Sequence, residues 1–289
     1  MATVTIPFGG KPLPFEVPDR NLAQVLKPNA SSPLADLEAA IHAALVNPIG
    51  QPPIEQWVKP SDRVLLVSDD NTRLTPADSM IPPLLARLNA AGVPDRNIAC
   101  IMALGTHRYM TDDEMMAKVG QGVWRRIRVF NHAWREAENL VELGTSSAGT
   151  PLQVNRAVVE ADVIIGLGAI VPHHIPGYSG SSKIIQPGVC GPKTTAETHM
   201  LSCEGGGDSL LGIEDNPVRR DMDDMADRVG MQTIFNVVMD SDGRVTDIFF
   251  GEMRAAFRKG VQAARKIYVT TAMARISTRR VRAAAATAA

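Results

Sequence analysis

Four short apolar runs, each breaking off into a polar cluster, constrain the fold of this chain more than any other feature. Arg63-Val64-Leu65-Leu66-Val67-Ser68 gives way to Asp69-Asp70-Asn71-Thr72-Arg73, and Asn97 to Leu104 is broken at Gly105. Ile127-Arg128-Val129-Phe130 precedes Asn131-His132, and Ala161-Asp162-Val163-Ile164-Ile165-Gly166 precedes a histidine-rich loop. Runs this short read as buried strands, and a helix is expected from Ala77 to Ala91, stopped by Gly92. Strands alternating with helices predict an α/β fold with a largely parallel sheet flanked by helices, whose functional groups gather at the carboxyl ends of the strands. Thr233 to Met239 followed by Asp240-Ser241-Asp242-Gly243-Arg244-Val245-Thr246 reads as a β-hairpin near the C-terminal end, because Asp-Gly supplies the positive φ of a tight turn. An amphipathic helix from about Gly251 to Lys266 follows. Residues 271–289 are Arg-rich and then Ala-rich, a low-complexity tail without turn punctuation, read as a helical extension or an abnormal terminus.

The polar clusters carry the chemistry. The chain has six histidines, and His107, His173, His174 and His199 lie beside turn or loop signals. The run from His173 to Gly188 puts imidazoles before Lys183 in a segment of small residues, and His199 follows later. Any one of these histidines alone is more simply a surface or satisfied core residue; jointly they point to a site. His107 and His173 suit general acid–base work, since imidazole titrates near neutral pH. Lys183 is either an ordinary solvated lysine or, partly desolvated, a covalent anchor. Gly177 and Gly180 suggest backbone contact with a phosphate. The spacing is not that of a nucleoside triphosphatase loop, and Ile184 stands where Ser or Thr belongs. Gly166-Leu167-Gly168 after a strand invites a dinucleotide site, but Val171 replaces its third glycine. Asp70 and Arg73 are spaced for an ion pair in which the carboxylate orients a guanidinium that binds a carboxylate or phosphate. Asp112-Asp113-Glu114 marks a helix start. His199 could hold a metal only if a non-protein group supplies the remaining ligands, because no HExxH, CxxC or compact carboxylate cluster accompanies it.

Composition narrows the class. With 289 residues, 45% of them hydrophobic, the chain can bury a sizeable core. A net charge of −1 leaves no field for a phosphodiester backbone, so nucleic acid is not an expected partner. Three cysteines without a CxxC pair argue for a reducing cytoplasm. No signal peptide or 18-residue apolar run is present, so no membrane association is expected.

Taken in order, Asp70-Asn71-Thr72-Arg73 with Pro76, Gly105-Thr106-His107-Arg108 with Met110-Thr111 and Glu114, Pro172-His173, Gly177-Tyr178-Ser179-Gly180 with Lys183, Pro187-Gly188, and His199 form a pattern. It resembles the nickel-dependent lactate racemase family, specifically its large N-terminal catalytic domain, over roughly residues 1–270. The resemblance implies an isomerase, a racemase or epimerase of a small lactate-type 2-hydroxyacid. Its cofactor would be a nickel-pincer nucleotide, pyridinium-3-thioamide-5-thiocarboxylic acid mononucleotide, attached through Lys183, with nickel also bound by His199. Asp70, Thr72, Gly177, Ser179 and Gly180 would surround the cofactor, and Arg73 would hold the substrate. His107 and His173 would alternate as base and acid on the substrate hydroxyl while the cofactor ring takes and returns a hydride at the α-carbon. Cofactor-biosynthesis enzymes become expected partners.

Two departures stand out. Ser181 occupies a position where the family usually has glycine, and the resemblance stops near Tyr268-Val269-Thr270-Thr271, where a smaller C-terminal domain would begin. The expectation is that this domain is absent, which leaves a surface that favours a homo-oligomer and an open site that orients substrate poorly. The alternative reading is a truncated or non-catalytic cofactor- or nickel-binding domain; a nicotinamide dehydrogenase ranks third.

Overall fold

The computed structural model describes residues 1–9, 11–203 and 209–270, so the tail expected at 271–289 lies outside the described residues. Two compact units are present. One comprises Met1–Asn29 with the segment from Val269, and holds an antiparallel hairpin of β1 (Ala2–Phe8) and β2 (Lys11–Val17). Prolines and charged residues break the apolar pattern of these strands, which is why they leave no run in the sequence.

The other unit, Ala30–Tyr268, carries the α/β architecture. It runs α1 (Leu37–Val46), β3 (Val64–Asp69), α2 (Ala77–Ala90), β4 (Ile98–Ala103), α3 (Asp112–Val119), α4 (Gln121–Trp124) and β5 (Arg128–Asn131). Next come β6 (Leu140–Thr145), β7 (Pro151–Asn155), α5 (Arg156–Glu160), β8 (Val163–Ala169), β9 (Pro172–His173) and β10 (Gly177–Tyr178). It closes with α6 (Pro192–Leu201), α7 (Pro217–Arg228), β11 (Thr233–Met239), β12 (Val245–Glu252) and α8 (Met253–Tyr268). The main sheet has the order β12-β11-β8-β3-β4-β5, parallel except for the β11–β12 hairpin.

The apolar runs become strands because both faces of the sheet are covered. Val64 and Leu66 enter a core built with α1, α2 and α3, while Leu65 and Val67 enter a second core built with α7 and α8. That is the period of two expected for a strand. Local signals fix the helix ends. Thr111 accepts from Glu114 N–H and Glu114 accepts from Thr111 N–H, a capping box that starts α3 where the acidic cluster predicts. Asp240 accepts from the N–H groups of Asp242 and Arg244, with Gly243 at φ 78°, closing the expected hairpin.

Two expectations need correction. α8 begins at Met253 rather than near Gly251, because Gly251 is still in β12, where its backbone bridges to Ile49. Gly166 and Gly168 lie inside β8 rather than in a loop after it. A Cβ at Gly166 would come 2.8 Å from Ile184 Cγ2, so this glycine seats Ile184 on the strand.

Chain order along the sheet reverses between β3 and β8, since β4 and β5 extend one way from β3 while β8 and β11 extend the other. A crevice opens outside the carboxyl ends of strands at such a switch point. Just beyond the carboxyl end of β5 lies His132, fully buried, which donates from Nε2 to the Cys190 carbonyl at 2.9 Å and accepts at Nδ1 from Asn155 at 3.0 Å. Burial pushes its pKa down from 6.5 to about 4. A neutral imidazole therefore favours the fold above pH 6.5, and as pH falls toward 4 only the unfolded chain takes up the proton. The native state should lose up to about 1.4 kcal/mol per pH unit in that window from this residue. Urea unfolding at pH 7 and pH 5 should show a smaller stability loss in His132→Gln than in the parent; an equal loss would remove this role.

Candidate active site

The carboxyl end of β3 presents two successive carboxylates with different partners. Asp69 is buried and faces Lys118 Nζ from α3 at 2.9 Å, with side-chain exposures of 12% and 7%. The same ammonium donates to the carbonyls of Arg73 and Thr75 at 2.9 and 3.1 Å, and Thr75 Oγ1 donates to Asp69. Burial raises the Asp69 pKa against the pull of Lys118 and Thr75. This knot clamps the Asn71–Thr75 loop to the strand.

Asp70 accepts from the Thr72 N–H and hydroxyl and meets His107 Nδ1 at 2.6 Å. Burial alone would raise its pKa, but the hydrogen bonds from Thr72 and His107 outweigh that and hold it below the ordinary value. The expected Asp70–Arg73 ion pair is therefore not formed: the two share only a backbone turn, and the carboxylate orients a histidine instead of a guanidinium. The Arg73 side chain has no hydrogen bond or ion pair among the described residues. Thr72 serves the same Asp70 cap.

His107 follows β4 through Gly105, which takes φ 55°. Its carbonyl accepts from Trp134 Nε1 at 2.8 Å, and its ring is 56% exposed with Nε2 left free by the Asp70 contact. Glu114 is joined by Arg108 and Asn71, so α3 also ties the two loops together.

From the end of β8 the chain passes His173 and doubles back through Gly177-Tyr178-Ser179-Gly180. Ser179 Oγ donates to the Ala169 carbonyl at 2.6 Å and accepts from Val171 N–H at 3.1 Å, so its hydroxyl is spent on fastening the loop. A Cβ at Gly177 would fall 1.8 Å from the Ile213 carbonyl oxygen, and one at Gly180 would fall 2.8 Å from Ile170. With φ 78° at both, packing and conformation already require glycine here. Ser181 adopts φ 54°, a left-handed conformation that glycine takes at lower cost. Its N–H donates to Asn236 at 2.9 Å.

His173 Nδ1 accepts from Ile175 N–H at 3.1 Å, and its ring stacks on His174 at 4.7 Å. Burial first, then the positive charge of Lys183, His174, Arg73 and Arg219, drives its pKa down to about 2. The Lys183 amine has no hydrogen bond or ion pair among the described residues. Burial, followed by Arg73 and Arg219, lowers its pKa to about 8, against a weaker opposite pull from Asp70 and Asp69. Asp70, Arg73, His107, His173 and Lys183 thus border one cleft at the switch point.

His199 is on the last turn of α6, in a helix rather than in a loop, with Nδ1 at 2.6 Å from the Thr195 carbonyl. That contact makes Nδ1 the protonated nitrogen and leaves the Nε2 lone pair outward, the arrangement of a metal-binding imidazole. Its neighbour Thr198 accepts from Gln186 at 2.9 Å, linking α6 to the segment that follows Lys183. Among the described residues no group of three His, Cys, Asp or Glu could hold a metal by itself.

Sequence reasoning missed Arg219, Asp223 and Lys118. Val218, Met222, Met225 and Ala226 form a helical apolar stripe on α7, and its spacing would have placed Arg219 at the buried edge. A separate cavity of about 330 Å³ opens at the amino ends of the strands, lined by Trp57, Lys59, Asp62, Asp162 and Thr233 among others. Its carboxylates are already engaged, Asp62 by Lys59 N–H and Asp162 by Arg63.

The lactate racemase N-terminal domain family matches residues 8–208. A lactate racemase of Thermoanaerobacterium thermosaccharolyticum is 30% identical over 275 residues, covering 94% of this chain and 64% of that protein. One from Lactiplantibacillus plantarum is 28% identical, covering 90% and 62%. The apoprotein structure of the Thermoanaerobacterium racemase superposes with a TM-score of 0.80 over 92% of this chain and 63% of its own. A Thermotoga maritima protein shares the fold at 24% identity with a TM-score of 0.66. The chain spans less than two thirds of the length of each of these relatives.

The Lys118 knot yields a test of how the cleft is held. Lys118→Met strands the Asp69 carboxylate in the interior and should cost about 3–5 kcal/mol. Asp69→Asn combined with Lys118→Met should recover part of that loss in urea unfolding. Single and double variants of equal stability would show that the pair does not hold the loop.

Proposed function

The chain belongs to the lactate racemase N-terminal domain family, and from that membership we propose that it acts on a lactate-type 2-hydroxyacid as a racemase or epimerase. On this reading residues 1–270 form the N-terminal catalytic domain, and a nickel-pincer nucleotide is attached through Lys183, with His199 Nε2 on the nickel. When bound, that group supplies the acceptor and donor of a hydride at the substrate α-carbon. The observation that carries the proposal is the unpaired Lys183 amine beside the unpaired Arg73 in an electropositive cleft.

An amine with a pKa of about 8 is neutral in roughly a tenth of molecules at pH 7, against about one in three thousand for an ordinary lysine. Lys183 is thus poised as a nucleophile. Arg73 offers a two-pronged donor to a carboxylate. His107, oriented by Asp70, presents Nε2 for proton transfer with the substrate hydroxyl. His173 is kept neutral by burial and by the positive charge of Lys183, Arg73 and Arg219. Converting Lys183 to an amide and placing an anion against Arg73 would offset two of those charges, which raises the His173 pKa toward the range where a general base works best. Thr72, Ser179, Gly177 and Gly180 contribute by shaping the loops around the cofactor.

The exposure of His107 favours a second reading, in which the chain retains cofactor and nickel but needs further polypeptide over the site to exclude water and turn over substrate. Co-expression with cofactor-biosynthesis enzymes separates the two. Wild-type chain should gain cofactor mass and nickel, both lost in Lys183→Ala, whereas His199→Ala should keep the mass and lose nickel. In the racemase reading the loaded chain interconverts lactate enantiomers, and His107→Gln lowers kcat about 100-fold or more. A loaded but inactive chain supports the second reading, and an unmodified, nickel-free chain removes both.

A further inference from the structure

Arg219 is a charged residue that neither the motifs nor the family resemblance brings into the site. It projects from α7 and is 3% exposed. Its Nη1 donates to the Gly180 carbonyl at 3.2 Å and to Ser182 Oγ at 2.9 Å, and its Nη2 donates to the Tyr178 carbonyl. Its guanidinium lies 4.5 Å over the Phe257 ring. The Ser182 hydroxyl in turn donates a hydrogen bond to Asp223, one helical turn along α7, and the fork engages three oxygens of the segment that ends in Lys183. Among the described residues Arg219 has no hydrogen-bonded carboxylate, although Asp223 and Glu214 act on it through space. Asp223, the nearest candidate, is shared with Ser182 and with Arg254 of α8 at 3.9 Å.

We propose that Arg219 is a positioning residue for Lys183: its fork fixes the Tyr178–Ser182 loop from beneath and sets a buried positive charge close to the neighbouring amine, which enlarges the neutral, reactive share of that amine. The inference rests on the reading of Lys183 as the attachment residue and extends it to a group that, after burial and Arg73, favours the neutral amine.

The charges around Lys183 support this assignment. Arg219 and Asp223 come from α7, Arg254 from α8, Asp69 and Asp70 from the end of β3, Arg73 from the loop beyond, and His173 and His174 from beyond β8. Asp69 is committed to Lys118 and Asp70 to His107. Asp223 is committed to Ser182. Asp69 and Asp70 still pull on the amine, but the guanidiniums of Arg73 and Arg219 act on it more strongly, and Arg219 itself also feels Asp223 and Glu214. Burial lowers Arg219 itself only to about 10, so it stays charged at neutral pH. Removing its charge should raise the Lys183 pKa, leaving fewer neutral amines at a given pH.

The test is competitive acetylation of the unloaded full chain with acetic anhydride across pH 6–10, reading the Lys183 peptide by mass spectrometry against an exposed lysine. Wild type should be half-reactive near pH 8. Arg219→Gln should move that midpoint up by about one unit or more, which cuts labelling at pH 7 about tenfold. Arg219→Lys keeps the charge without the fork and should hold the midpoint within about half a unit of wild type. A bracing role alone would leave all three midpoints together.

A folded Arg219→Gln chain, judged by circular dichroism, with the wild-type midpoint overturns the proposal. If the glutamine variant does not fold, Arg219→Met repeats the removal of charge beside Phe257: a midpoint raised above wild type supports the proposal, and an unchanged one overturns it. None of these readings needs the cofactor. An Arg219-dependent midpoint in a chain that never gains cofactor mass would leave this inference standing while removing the proposed function.

Discussion

The candidate site depends on how β3 ends, and β3 ends on a buried ion pair. Asp69 and Lys118 have little access to water, and such a pair is tolerable only when the remaining donors are also satisfied. Lys118 meets that condition by donating to the carbonyls of Arg73 and Thr75 as well. The loop is thereby clamped on both sides of Leu74, while the Arg73 guanidinium is left without a partner. Asp70, next to Asp69, is taken by Thr72 and His107. Both acids nearest the cleft are thus committed, and the cations around it are not neutralised.

That imbalance explains the two perturbed bases of the cleft. Beside a partly desolvated group a positive charge is screened less than it is in open water. Lys183 and His173 therefore lie below their usual pKa values for the same two reasons, burial and uncompensated cations. The arrangement is costly without an anion and favourable with one. It calls for a ligand that is negatively charged at more than one point, as a nucleotide and a carboxylate together would be.

Much of this is legible in the sequence, and what is legible has a physical basis. Val64 to Ser68 and Asn97 to Leu104 are largely apolar because a central parallel strand is buried on both faces. Their polar endings mark the carboxyl edge of the sheet, where His107 and Arg73 are found. Asp112 to Glu114 announces α3 because a capping box is a local device. Long-range pairing is not legible. Asp70 three residues before Arg73 reads as a carboxylate orienting a guanidinium, yet it is 37 residues from the histidine that takes it. Nothing local says that a loop from elsewhere will cover the charge of Lys118, and the apolar stripe of α7 puts Arg219 at a buried edge without saying which carbonyls it meets. The Thr-rich segment before His199 has modest helix propensity and suggests a loop, but packing of α6 overrides that preference.

Geometry and reactivity have separate origins at Lys183. Cβ atoms at Gly177, Gly180 and Gly188 would collide with Ile213, Ile170 and the Ile184 carbonyl respectively, and one at Gly166 of β8 would collide with the Ile184 side chain. The segment is thus held by close packing on β8 and on the residues before α7, with the Arg219 fork bracing the same loop from beneath. Ser181, with its left-handed backbone, shows that the conformation persists even where glycine is lacking. The position of Lys183 follows from this packing, whereas its protonation follows from burial and from Arg73 and Arg219. A substitution among the glycines moves the amine, and a substitution of either arginine changes what the amine can do where it stands. A chain that needs a lysine both fixed and neutral gains from controlling the two properties through different residues.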